Sequence, residues 1–149
     1  MYSSDATAEI VGALLIVFII AALIGITVMV FYLLTLQNTL KLVSLENQKM
    51  PPGQVWLVFI PLFGLVWQFI MVNRIADSLK AELAKRNMPS DEDRPGYSIG
   101  IAFCILMACG IIPLIGVIAS IGGFVCWIIY WVKIAGYKTK LQQNTATTL

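Results

Sequence analysis

Residues 10–36 read IVGALLIVFIIAALIGITVMVFYLLTL, 27 positions without one charged side chain. Wound as an α-helix at about 1.5 Å per residue, the stretch reaches about 40 Å, while about 20 apolar residues cross a bilayer core. It reads as a membrane-crossing helix that tilts or projects beyond the lipid. Leu36, Leu40 and Val43 keep helical spacing past the apolar run, so the helix is expected to continue toward Glu46. Met50-Pro51-Pro52-Gly53 ends it, because a proline disfavours helical geometry in the residue before it. Ahead of the run, residues 1–9 carry Asp5 and Glu9 but no Lys or Arg. A secretory leader has a basic start and a shorter apolar core, so this segment is expected to be a retained helix.

The rest of the chain is of the same kind. Hydrophobic residues make up 59% of the 149 positions and charged residues 12%, against about 25% charged in an ordinary soluble domain. A soluble fold of this size would lack the charge to cover its surface, and lipid is the better solvent. The chain is expected to form a single helical membrane domain over 1–149. Net charge is +2 and no basic run is present, so nucleic acid is not an expected partner. Histidine is absent, which removes the commonest metal ligand and the usual general base near neutral pH. Cys104, Cys109 and Cys126 lie in apolar stretches without metal or redox spacing and read as small buried hydrophobes. No metal, cofactor or catalytic residue is expected. Ser98 and Ser120 have no base to activate them. The acidic run Asp91-Glu92-Asp93-Arg94 lacks calcium-loop spacing and reads as a solvated loop.

Beyond the Pro51-Pro52 break lies a shorter apolar run, 55–72, interrupted by Pro61 and Gly64. Residues 73–87 follow, with Val72, Ile75, Ala76, Leu79 and Leu83 on one face and Arg74, Asp77, Lys80, Glu82 and Arg86 on the others. This pattern predicts an amphipathic helix lying in the headgroup layer, with Glu82 and Arg86 as an i,i+4 surface pair. After the polar loop 88–96, an uncharged stretch from Tyr97 to Val132 is too long for one span and suits a hairpin of two, over 97–112 and 117–132, joined at Pro113 and Gly116. Lys133, Lys138 and Lys140 are expected to end the last helix, and 142–149 to be a frayed polar tail.

Two segments repeat. Ile60-Pro61-Leu62-Phe63-Gly64 is echoed by Ile112-Pro113-Leu114-Ile115-Gly116; Trp67 before Arg74-Ile75-Ala76 is echoed by Trp127 before Lys133-Ile134-Ala135. In the first copy, Pro61 to Asn73 gives about 20 Å of helix, too short to cross alone. Two arrangements remain: 55–72 as one kinked span in a four-span bundle, or as a re-entrant hairpin with its tip at Pro61–Gly64 beside three spans. Basic residues favour the second. With the N-terminus outside, all ten Lys and Arg lie on the cytoplasmic side; the four-span bundle leaves two outside. Trp56 and Trp67 flank the Pro61 tip almost evenly, as interface anchors of a hairpin would, with Trp131 and Lys133 anchoring the last helix. In both arrangements the C-terminus is cytoplasmic. In the re-entrant arrangement the Pro113 turn lies outside with the N-terminal tail, and the Pro61–Gly64 turn is packed against other helices.

Inside the apolar runs there is no Asp, Glu, Lys, Arg or His. Ionisable groups at that depth mark proton relays, ion paths and substrate sites, so neither a proton-coupled transporter nor an intramembrane hydrolase is expected. Gln68 is the most polar side chain deep in a run; Thr27, Thr35 and Ser120 are milder. Each reads first as an interhelical hydrogen-bonding group. Small residues recur at spacing four, as in Ala21 and Gly25, Gly96 and Gly100, or Ala119 and Gly123, which lets helix backbones approach closely.

The pattern Pro52-Gly53-Gln54-Val55-Trp56, Ile60-Pro61-Leu62-Phe63, Val66-Trp67 and Ile75-Ala76-Asp77-Ser78-Leu79, with WIIYWVKIAGYKTK over 127–140, resembles uncharacterised small multi-span membrane proteins of bacteria. That resemblance implies the inner membrane and carries no activity, cofactor or catalytic residue with it. The function expected on these grounds is non-enzymatic: a structural or accessory subunit of a larger membrane assembly, in contact with the lipid bilayer and with other subunits or copies of itself. The alternative is a small homo-oligomeric channel or solute facilitator, because paired broken segments mark transport sites.

Overall fold

A computed structural model describes residues 2–113 and 115–147. Among them there is no strand. The elements are α1 (Tyr2–Leu42), a 3-10 helix (Pro52–Phe59), α2 (Phe63–Lys85), α3 (Tyr97–Cys109) and α4 (Gly116–Thr147). Two helices are long and apolar enough to cross a membrane, Ala6–Leu42 and Gly116–Ala146. The chain divides into two compact units, Met1–Tyr32 and Leu33–Leu149, where the sequence suggested one domain.

The first unit is helical throughout its described residues. The helix begins at Tyr2, inside the polar tail, rather than at Ile10. No proline interrupts it. From Leu14 to Ile20 seven consecutive side chains are exposed by half or more. Seven positions cover nearly two full turns, so every face of this stretch is apolar and uncovered. Thr27 donates its hydroxyl to the Leu23 carbonyl at 2.8 Å, satisfying it within the helix.

The second unit has a core. Residues 33–42 of α1 supply Leu33, Leu36 and Leu40; α2 supplies Met71, Val72, Ile75, Leu79 and Leu83; α3 supplies Phe103 and Cys104; α4 supplies Tyr130, Ile134, Tyr137 and Leu141. On α1, α2 and α4 the spacings of three and four make one buried stripe per helix. α3 and α4 form an antiparallel hairpin, α2 packs on α3, and the 3-10 helix folds back on the start of α2. Gly100 sets the approach: a Cβ there would lie 2.5 Å from Val72 Cγ1 and 2.9 Å from Tyr130 Cε2. Gly96, with φ 73, turns the chain into α3.

Several expectations change here. Residues 73–87 are not a separate interfacial helix. Residues 73–85 continue α2, which ends at Lys85, and the stripe Val72, Ile75, Ala76, Leu79, Leu83 is buried in protein rather than laid on lipid. No helix runs through 55–72: the chain reverses at 60–62, so the kinked span of the four-span bundle is absent. α3 stops at Cys109, short of residue 112. α4 does not end at its lysines but runs to Thr147, because Tyr137 and Leu141 extend its buried stripe. The tail expected to fray is helical over 142–147; residues 148–149 lie outside the described residues, as does Leu114.

Candidate functional site

Among their described residues, the two repeated Ile-Pro-Leu-x-Gly segments share two backbone hydrogen bonds. At the first, the Ile60 amide donates to Leu57 O at 3.1 Å and the Gly64 amide to Ile60 O at 2.7 Å. At the second, the Ile112 amide donates to Cys109 O at 3.0 Å and the Gly116 amide to Ile112 O at 2.7 Å. Each bond is displaced by the same 52 positions. The glycines serve one purpose in both. A Cβ on Gly64 would overlap the Val58 carbonyl oxygen, and one on Gly116 would lie 2.5 Å from the Gly110 carbonyl oxygen. At both segments the glycine following the proline by three positions is where the backbone crosses most closely. The sequence repeat thus carries a shared pair of backbone bonds and a shared glycine crossing.

The first turn carries strain. Leu62 sits at φ 61, ψ −50, and the Phe63 amide donates to Pro61 O at 2.6 Å. This is a γ-turn with a left-handed leucine at its apex, a conformation costing on the order of 1–3 kcal/mol for a residue with a Cβ.

Both turns lie at one end of the second unit. α2 runs from the Pro61 turn toward the charged loop 86–96, α3 returns from that loop to the Pro113 turn, and Val72 meets Gly100 between them. The turn end is apolar and uncovered by the protein, with Phe59, Ile60, Leu62 and Phe63 exposed at one tip and Ile111, Ile112, Ile115, Val117 and Ile118 at the other, so the Pro61 tip is not packed against other helices as expected. Gln68, one turn beyond Gly64, is buried. Ser120, at the equivalent position after Gly116, is exposed.

The four anchor residues all have partners within the protein. Trp67 donates its indole N–H to Gln54 O at 2.9 Å, which pins the 3-10 helix to α2. Trp56 donates to Gln37 Oε1 at 3.1 Å, and Trp131 to Thr35 Oγ1 at 3.0 Å, tying both segments to the end of α1. Lys133 pairs with Glu92, fastening α4 to the loop ahead of α3.

Sequence reasoning missed the strongest polar feature, at the opposite end. Glu82 and Arg86 are no surface pair. The Glu82 carboxylate accepts hydrogen bonds from Ser44 Oγ at 2.5 Å, the Ser44 amide at 3.0 Å and Asn47 Nδ2 at 2.8 Å, besides the Arg86 contact. Arg86 in turn donates to Leu42 O at 2.9 Å, Leu141 O at 3.2 Å and Thr145 Oγ1 at 2.8 Å. One side chain thus closes the C-terminal end of α1 and the last turns of α4 onto α2. Burial opposes ionisation of Glu82, but the bonds from Ser44, Asn47 and Arg86 outweigh it and bring the carboxyl down to about 2. Glu92 is likewise held below the usual carboxylate range, chiefly by Lys133. One signal was present: Glu82 lies three residues from Leu79 and beside Leu83, on the edge of the buried stripe.

Among the described residues, no three His, Cys, Asp or Glu side chains are grouped to hold a metal ion. No family model, no curated protein and no solved structure matches this chain.

Proposed function

We propose that the chain is a non-enzymatic accessory subunit of a membrane assembly, held in the inner membrane of a bacterium with its C-terminus in the cytoplasm. The observation that carries this reading is the first unit: a helix apolar on every face with none of those faces covered from residue 14 to 20. Such a surface needs lipid or the helices of another membrane protein around it. In this reading α1 crosses the bilayer with its acidic N-terminal tail outside, and the Pro61 hairpin is re-entrant from the cytoplasmic side. The Glu82–Arg86 network keeps the second unit rigid at the cytoplasmic surface, where its charged loop 86–96 is offered to partner subunits.

The paired proline turns also fit a second reading, a homo-oligomeric channel or facilitator. Their exposed side chains are hydrocarbon, which suits lipid or a protein neighbour better than a solute path.

Native mass measurement after gentle extraction separates the two. Defined foreign subunits in constant ratio support the accessory role. A closed ring of identical chains supports the channel, and a bare monomer would refute both.

A further inference from the structure

We infer that the α3–α4 hairpin is itself re-entrant: it enters the bilayer from the same side as the Pro61 hairpin and turns at Pro113 inside the hydrocarbon, so that α1 alone crosses. This rests on the membrane reading above and overturns the placement of the Pro113 turn outside with the N-terminal tail.

Three observations lead there. First, the turns share two backbone hydrogen bonds and a glycine held against a carbonyl oxygen, and lie at one end of one compact unit. The 3-10 helix and α2 meet at the Pro61 tip, and both arms lead back to polar segments at the other end; a second tip reaching the same level crosses no farther than the first. Second, the lengths agree. A charged layer of Arg74, Asp77 and Arg94 marks the polar boundary, with Arg94 stacked 3.9 Å over the Tyr97 ring and Arg94 Nε 2.9 Å from Asp77 Oδ1. From Arg74 back to Leu62 is about 18 Å of chain at helical rise, and α3 from Tyr97 to Cys109 also gives about 18 Å, against about 30 Å of hydrocarbon. α4 by itself is long and apolar enough to cross, but it is joined to α3, whose length of about 18 Å limits how far the hairpin reaches. Third, the Pro113 tip is chemically unsuited to water. From residue 99 to 119 no side chain is polar, apart from the thiols of Cys104 and Cys109, and Ile111, Ile112, Ile115, Val117 and Ile118 stand exposed. Hydrocarbon of the bilayer interior is the occupant that covers a tip of this composition. The amides of Gly64 and Gly116 each close back on a carbonyl within their own turn, at 2.7 Å, so those groups have partners inside the protein, as membrane depth demands.

The test uses the full chain with Cys104, Cys109 and Cys126 replaced by Ala, and single substitutions Ile115→Cys, Val117→Cys, Leu62→Cys and Lys85→Cys. A membrane-impermeant maleimide is applied to intact cells and, separately, to inside-out vesicles, with total thiol read after SDS. Lys85→Cys is expected to react only in inside-out vesicles. Ile115→Cys, Val117→Cys and Leu62→Cys are expected to react from neither side and fully after SDS. Bimane at Ile115→Cys and Leu62→Cys should then be quenched more by lipids brominated near the chain end than by lipids brominated near the glycerol. Reaction of Ile115→Cys or Val117→Cys from outside, or stronger quenching by shallow bromines, overturns the inference. Neither result alters the subunit mass, so the accessory role stands or falls separately. Two substituted positions at the Pro113 tip guard against one variant failing to fold.

Discussion

Arg86 and Glu82 form an ion pair at 2.7 Å in which the carboxylate is almost wholly withdrawn from water and the guanidinium remains at the edge, 19% exposed. The arrangement decides what each side chain does. Glu82 collects donors from the 43–51 connection, and Arg86 spends its remaining N–H groups on carbonyls of α1 and α4. Removal of one partner therefore leaves the other desolvated and unpaired. Glu82→Gln should lower stability by about 3 kcal/mol, the range for a broken buried pair. The double variant Glu82→Gln, Arg86→Gln should lose less than the sum of the single losses, because the uncompensated charge is gone. Chemical unfolding in mild detergent, read as a double-mutant cycle, checks this. Additive losses would mean the two side chains act independently.

The same carboxylate gives a pH dependence with a definite sign. Its folded-state value of about 2 lies below the ordinary 4.5. The folded state therefore favours the ionised form, and the stabilisation is complete above about pH 5 and disappears as pH falls toward 2. A shift of this size corresponds to about 3 kcal/mol. Thermal melts of the wild type should fall over that window more steeply than those of Glu82→Gln. Glu92 contributes in the same direction to both proteins, so the difference between the two curves isolates Glu82. Parallel curves would remove Glu82 from the account.

The two turn glycines should be equally intolerant. Gly64→Leu and Gly116→Leu each place a side chain against a carbonyl oxygen of the crossing backbone, while Gly12→Leu meets nothing within 4 Å. Folded yield in detergent should drop severely for the first two and stay near wild type for the third. Should all three behave alike, the close crossing at the turns is not needed for folding.

Much of this was legible beforehand. Helical period identified the stripe Val72, Ile75, Ala76, Leu79 and Leu83, and the proline spacing located both reversals. What covered the stripe was not legible, because a face buried in protein has the same composition as one buried on acyl chains. The end of α4 was misplaced for a related reason: three lysines looked like a boundary, yet Tyr137 and Leu141 carry the core through them. The Glu82 network was hidden because its donors, Ser44 and Asn47, come from a connection 35 to 38 residues away, where no periodicity speaks for them.

Leu62 offers the last test, and it runs in the opposite direction from the glycines. Its φ of 61 is one that a side chain disfavours, and the side chain is 85% exposed, so it gives the folded core little in return. Leu62→Gly removes the strain at the apex and leaves the Phe63-to-Pro61 and Gly64-to-Ile60 bonds in place. Glycine also loosens the unfolded chain, which offsets part of the gain. The net effect in detergent should be a stabilisation of up to about 1 kcal/mol. In a bilayer the result should reverse if the leucine is immersed, because an exposed Leu side chain contributes about 1.5–3 kcal/mol when it enters hydrocarbon. Comparing unfolding of wild type and Leu62→Gly in detergent micelles and in lipid vesicles reads both terms. A variant more stable than wild type in vesicles would mean that this apex is not in the membrane interior.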